Sequence, residues 1–504
     1  MRFLANNMAV IITAISASAI AWAFGGTRSD WVLKLVPWLS ALLIETLLFF
    51  PQHESNEHAD AARKRVWRAL RKDPLVWIAL GLIALLTIPF ANTGLCEICD
   101  RALIAQGFKP APPVSLLPFC VNTTDHLNVF LWFLFAMSCL LVTKHSLNRD
   151  GKRMLLEMIV WNGFALAILG FIQTATQAPG PLWQPMKNVD KAGDFFSTFG
   201  YPNMAGDYFV TLFGLAVALW RWHYEEVWEH TSVREGARLN KSWRTEFRRK
   251  HYMLIPAALF FFAALNTLSR AAIILVTCTA AVYFFHTLSV FASRMDRAKR
   301  VKLCMMSLMI LGLLIFFATV FMPEDIHREV STLNSTEVLT RVTGKGQYHA
   351  RVATELWKAH PLFGCGGWGY KHFCVQLMTP EELKQMQMVG GINVHNDYLQ
   401  FMAEHGLAGF GALVAMVVLL LVPVGYTWRV LCTTENFTKH KKYKLAKPAQ
   451  IFVMPAPVFF ILTTAVATLI HCFGDCPLRS PAVLALFYID LAAIPGFMPE
   501  VEEE

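Results

Sequence analysis

Long apolar runs alternate with polar, charge-bearing connections along almost the whole chain, and this pattern predicts helices that cross a membrane. A run of about 17 to 25 mostly apolar residues spans a bilayer as a helix. About twelve such segments can be read, centred on Met8–Phe24, Leu33–Phe50, Pro74–Phe90, Leu127–Val142, Met154–Thr174, Asn203–Trp220, Met253–Leu268, Arg270–Ser289, Leu303–Phe321, Leu407–Trp428, Ile451–Ile470 and Pro481–Phe497. No small-residue cleavage site follows the first, and a second run comes at once, so it reads as a span rather than a cleaved signal. The expected fold is therefore all-α and membrane-integral. Its organisation is a bundle of nine spans at 1–321, a long, mainly helical outer loop at 322–404, and three further spans at 405–504 ending in a short acidic tail, Glu502–Glu504.

Composition agrees with this and narrows it. Of 504 residues, 55% are hydrophobic and 13% aromatic, and the mean hydropathy of +0.42 is too high for a soluble domain with an ordinary core. If the N-terminus is cytoplasmic, 30 of the 45 Lys and Arg residues fall on the inner side, mostly in two basic loops, Arg63–Lys72 and Arg221–Lys250. That bias orients the bundle and brings positive charge to anionic headgroups, so the net charge of +9 implies no nucleic-acid site. Seven of the eleven cysteines fall outside, where disulfides persist, and Cys365 with Cys374 is the expected pair. Cys96/Cys99 and Cys472/Cys476 have spacings that can also bind metal, but nothing in the sequence brings the two pairs together.

The chemistry-bearing residues gather on the outer side. Phe196–Phe209 reads FSTFGYPNMAGDYF, where Pro202 starts a helix and Asn203 either caps it or faces a substrate. In LNTLSRAAIILV, Arg270 stands between two apolar runs at a tight turn, where a guanidinium near hydrocarbon needs a partner or a polar cavity. Gln347–Ala359 forms an amphipathic helix with Tyr348, Val352 and Leu356 on its apolar stripe and Arg351 beside it, one turn from Glu355. The helix ends at His360–Pro361. Glycines follow, among them Gly364 and Gly366, and they let backbone approach a ligand or another segment closely. Gly390–Phe410 then puts His395 and Asn396 at the start of a short helix that Gly406 can end, with His405 in its last turn. The unpaired N–H groups of a helix start favour an anion there.

GYPN, SRA, an arginine helix ending in HPLFGCGGWG, and HNDYLQ with EHGLAG occur in that order, and together this resembles the O-antigen ligase and polymerase superfamily of bacterial membrane glycosyltransferases. The likeness covers about Phe196–Phe410. It implies a GT-C-like helical architecture in the bacterial inner membrane with the active site on its periplasmic face. The implied reaction moves a glycan from a polyprenyl (undecaprenyl) diphosphate to an acceptor, first of all O-antigen to lipid A core. Polymerisation or protein O-glycosylation with the same donor is the alternative, and a transporter of lipid-linked glycan without bond chemistry a more distant one. The resemblance assigns His395 the catalytic role and gives the diphosphate to Arg270 and Arg351. Asn203, Asn396, Gly364 and Gly366 support the site. It implies no cofactor and no metal. The residue types suit that chemistry: arginine forks take a departing diphosphate, a neutral histidine accepts the acceptor's proton, and the outer side carries no D-x-D-like carboxylate cluster.

Overall fold

The structure is a computed structural model that describes residues 6–53, 57–93, 114, 116–185, 195–232, 251–293, 346–383, 393–433 and 454–498, with a few positions between 298 and 305. Among the described residues, helices occupy eleven of the twelve expected segments, and the twelfth, Leu303–Phe321, lies outside them. In chain order the helices are α1 Met8–Trp22, α2 Ser29–Phe49, α3 Ala59–Lys72, α4 Pro74–Ala91, α5 Thr123–Leu141, α6 Arg149–Ala175, α7 Pro202–Ser232, α8 Leu254–Asn266, α9 Arg270–Ser293, α10 Gly346–Ala359, α11 Gly369–Leu377, α12 Asp397–Thr433, α13 Ala456–His471 and α14 Pro481–Ala493. Seven of these segments are long and apolar enough to cross a membrane, and α1, α8, α13 and α14 are shorter apolar helices.

Burial follows the sequence pattern. The α14 helix is apolar almost all round and every residue in it is buried, so it forms the inside of the bundle, packed on α5, α7 and α13. By contrast α4 and α12 present much of their apolar surface outward, as lipid-facing helices do: Trp77, Leu80, Val414, Val418 and Val422 are all exposed. Between them runs an open apolar furrow of about 390 Å³, bordered by Gly81, Leu82, Leu85, Gly411 and Ala412. Close helix contact depends on glycine at two points in α6, where a methyl on Gly163 would strike Leu212 and one on Gly170 would strike Phe196.

The segment that carries α10 and α11 builds a second small core with chain just before α5. Tyr348, Val352 and Leu356, the expected stripe of α10, pack with Phe119, Val121, Cys365, Tyr370, Cys374, Met378, Val394 and Ala403. Helix α11 was not legible in the sequence. It is held to the membrane bundle by Asp125 at the start of α5, which accepts from Lys371 Nζ at 3.0 Å and meets His372 Nε2 at 2.8 Å. The cysteine expectation fails here: Cys365 and Cys374 are separate buried thiols, donating to the carbonyls of Ala403 and Lys371, and Cys472 and Cys476 are free as well. The stretch Arg63–Lys72, read as a basic loop, is part of a helix, because Ala62, Val66 and Leu70 recur every four residues and seat one face on the bundle.

Candidate functional site

The site is assembled where the start of α12 meets the turn after α13. That turn is tight: the amides of Phe473, Gly474 and Asp475 return to the carbonyls of Ile470 and His471. It is also stitched to α12, since the Asp397 amide donates to the carbonyl of Cys472 at 2.9 Å and the Leu478 amide donates to the Asp397 carboxylate at 3.0 Å. Asn396 caps α12 by accepting the Leu399 amide at 3.0 Å, and its own amide reaches the Phe473 carbonyl at 3.2 Å. His395, just before the cap, is held in the left-handed region at φ 54°, an uncommon conformation for a residue with a Cβ. The outcome is a half-exposed imidazole, 39% accessible, whose Nδ1 lies 3.4 Å from the carboxylate of Asp475, itself 7% accessible.

Asp475 is the hub. The Tyr201 hydroxyl donates to it at 2.8 Å, the Asn203 side-chain amide donates to the same carboxylate, and the Cys476 backbone amide donates at 2.7 Å. Burial alone would raise the Asp475 carboxyl, but the hydrogen bond and charge of His395, with His471 and the Cys476 amide, outweigh it and hold the group at about 2. Burial, then the nearby Asp475 charge, pushes the Tyr201 phenol well above its usual range, so Tyr201 stays a donor. One layer deeper, Asp207 binds His471 Nδ1 at 2.9 Å and accepts from Thr468 Oγ1 at 2.9 Å, which fixes the end of α13. His349 of α10 lies edge-on to His395 with ring centres 6.1 Å apart and shares a 2.7 Å hydrogen bond with Tyr370. Burial first, then the neighbouring His395, lowers His349 to about 4, so it is neutral near pH 7.

Asn203 thus does not cap α7, as one reading had it. It joins the start of α7 to the carboxylate under His395. The SRA turn packs on the same stretch, because Ser269 and Ala272 crowd Gly206 one turn below Asn203, and Arg270 opens α9 beside it. Arg351 is 40% exposed and engaged by Glu382 at 2.7 Å, by Glu355 at 3.0 Å and by the Leu377 carbonyl at 3.1 Å. An ion pair with Glu355, one turn on, is therefore present, and a second carboxylate joins it. Gly364 and Gly366 take the second of their two readings. At φ +69° and +83° they let the loop press on backbone, Gly364 against Glu404 and Gly366 against Cys120. The amides of Cys365, Gly366, Leu407 and Ala408 complete the joint across the break in α12 at Gly406. His405 is buried against Phe401 and Phe133.

Residues 255–414 match the family model described as O-antigen ligase. That match spans about a third of the chain, and it likens this segment to the O-antigen ligase superfamily. A search of the curated proteins finds no significant match. The members of the family are glycosyltransferase-like ligases and polymerases, and the ligase-family segment here contains Arg270, Arg351 and His395. It does not contain Tyr201, Asn203, Asp475 or Cys476, so the hydrogen-bonded partners beneath His395 are supplied by chain outside the matched segment.

His395, Asp475 and Cys476 also bring three possible metal-ligand atoms within 4.8 Å of one another. The donor set fits a metal poorly. The Asp475 oxygens already accept from Tyr201, Asn203 and the Cys476 amide, and burial followed by the Asp475 charge pushes the Cys476 thiol well above its ordinary range. Sequence reasoning missed Asp475, Tyr201 and His349. A usable signal existed only for Asp475, a lone acid in the short GDCP turn between the last two apolar runs.

Proposed function

We propose that the protein transfers a glycan from a polyprenyl diphosphate to a hydroxyl acceptor at the outer face of the bacterial inner membrane, with lipid A core as the acceptor because the matched family model is that of a ligase. His395 Nε2 takes the proton of the acceptor hydroxyl. The acceptor oxygen bonds to the anomeric carbon as the bond from that carbon to the diphosphate oxygen breaks, and the electron pair leaves with the polyprenyl diphosphate. Arg270 and Arg351 meet the departing charge, and Arg351 exchanges one of its carboxylates for the diphosphate. The polyprenyl chain lies in the furrow between α4 and α12. The reaction needs no metal and no cofactor.

One observation carries the reading: an accessible imidazole at a helix start, backed on Nδ1 by a buried, ionised carboxylate. A carboxylate on Nδ1 fixes the proton there and makes Nε2 the basic nitrogen, the arrangement that activates hydroxyls in unrelated hydrolases. The test is purified His395→Ala, matched to wild type in expression and melting, assayed for transfer from a lipid-linked donor with EDTA present. A positioned base contributes roughly 10²- to 10⁴-fold, so a loss of that size is expected. Transfer by the variant at the wild-type rate would remove His395 from the chemistry, and loss of wild-type activity in EDTA would show that a metal takes part.

A further inference from the structure

On the face of the bundle opposite His395 lies a helix that the proposed chemistry does not use. Helix α4 runs from Pro74 to Ala91, and just beyond it the Asn92 side chain binds the carbonyls of Val114 and Pro118, next to the Cys120 backbone on which Gly366 packs. That is the His395 side. Helix α3 sits at the other end of α4, about 27 Å away by helix rise.

Helix α3 is two-faced. Ala62, Val66 and Leu70 are buried against the bundle, while Lys64, Trp67, Arg68, Arg71 and Lys72 are exposed. Lys64, Trp67, Arg68 and Arg71 fall at the i, i+3, i+4, i+7 spacing of one helical stripe. Two other cations of the helix are paired, Arg63 with Asp60 and Arg65 with Glu57. The three cations of the outward stripe and neighbouring Lys72 have no carboxylate partner among the described residues. An exposed tryptophan, 41% accessible, stands in the middle of them. The height of the stripe is fixed as well: the Trp77 indole donates to the Arg71 carbonyl at 3.1 Å, and Trp77 and Leu80 begin the lipid-facing side of α4. The basic stripe therefore lies where acyl chains give way to headgroups, the depth at which tryptophan and snorkelling cations concentrate.

We propose that Lys64, Trp67, Arg68, Arg71 and Lys72 form a binding surface for anionic phospholipid headgroups. The cations take the phosphates, and the indole sits among the glycerol and first acyl carbons. Charge complementarity selects an anionic lipid over a zwitterionic one. The membrane-level position of Trp67 and Trp77 selects a lipid over a soluble polyanion.

The test uses the full chain in nanodiscs of mixed phosphatidylcholine and phosphatidylglycerol, with retained lipids counted by native mass spectrometry. Wild type should retain phosphatidylglycerol preferentially, and less so as salt rises. A juxtamembrane cation contributes about fivefold, so Lys64→Gln/Arg68→Gln/Arg71→Gln should weaken that preference by roughly a hundredfold at low salt. Arg28→Gln/Lys358→Gln, which removes two exposed cations elsewhere, should leave it unchanged. The stripe points outward, so melting of the triple variant should match wild type, and equal melting makes the lipid count decisive. Equal retention by triple variant and wild type would overturn the proposal. So would binding of an acidic oligonucleotide or poly-glutamate peptide that displaces phosphatidylglycerol from wild type, since the stripe would then serve a soluble polyanion.

Discussion

Replacing Asp475 by asparagine keeps the shape of the side chain and removes its charge, which separates the orienting role of the carboxylate from its packing. In the native protein the carboxylate accepts from Tyr201, Asn203, the Cys476 amide and His395. Asparagine can still accept at one atom, but its amide nitrogen then faces the donors at the other, so one or two buried groups lose their partner at about 1 to 3 kcal/mol of stability. Because the folded carboxyl lies at about 2, below its unfolded value, its own contribution is fully present above roughly pH 4 and is lost only as pH falls through 2. An acid limb of the wild-type activity thus does not come from Asp475; on the proposed mechanism it reports His395 taking a proton. Asparagine no longer fixes the Nδ1 proton or stabilises the imidazolium, so kcat should fall roughly 10²- to 10³-fold, about 3 to 4 kcal/mol, with KM little changed. The carboxylate favours charged His395, so its removal should also move the acid limb of kcat/KM to lower pH. The assay is the pH profile of transfer with purified variant and wild type. A variant within threefold of wild-type kcat, or an acid limb that stays in place, would refute the orienting role.

Three further outcomes are expected. Arg351→Lys and Arg270→Lys should each lose most transfer activity and raise KM for the donor, because lysine keeps the charge but cannot make the planar, multi-acceptor contacts seen for Arg351; near-normal kinetics would reduce both to general electrostatics. Glu404→Gln should destabilise more than it inactivates, by about 3 to 5 kcal/mol, since Glu404 pairs with Arg479 at 2.7 Å with both side chains almost wholly buried; a melting temperature equal to wild type would contradict this. Mass spectrometry of non-reduced peptides should find Cys365 and Cys374 as thiols, and a linked peptide would show the buried arrangement to be wrong.

The bundle was largely legible in the sequence because membrane-length apolar runs admit one local solution, the helix, whatever their neighbours. The amphipathic α10 was legible for the same reason, since Tyr348, Val352 and Leu356 repeat at helical spacing. What could not be read was the meeting of segments distant in the chain. Asp475 and Asn203 are joined by a hydrogen bond across 272 positions, and nothing local to either residue marks the other. His349 carries no local mark of its role, because that role depends on how α10 leans on the start of α12. The glycines illustrate a different limit. Gly364 and Gly366 were recognisable as points of close approach, but whether the approaching surface was a ligand or backbone depended on the Gly406 break in α12, which both they and the residues around them grip.

The charges around His395 bear on how substrates enter, on the reading proposed above. Asp475 is ionised throughout the working pH range, and Tyr201 and Asn203 spend their donors on it rather than on a ligand. A diphosphate brought to that side would meet a fixed negative charge in a poorly solvated corner, with repulsion of several kcal/mol at close range. The opposite arrangement has no such penalty. The leaving group lies toward Arg270 and Arg351, the acceptor hydroxyl approaches Nε2 of His395, and the anomeric carbon stands between them. Neutral His349 fits this division, because a second imidazolium 6.1 Å from His395 would disfavour the protonated state that His395 must pass through. The carboxylate thus does two things at once: it makes His395 a base, and it excludes the donor's charge from the side where the acceptor must bind.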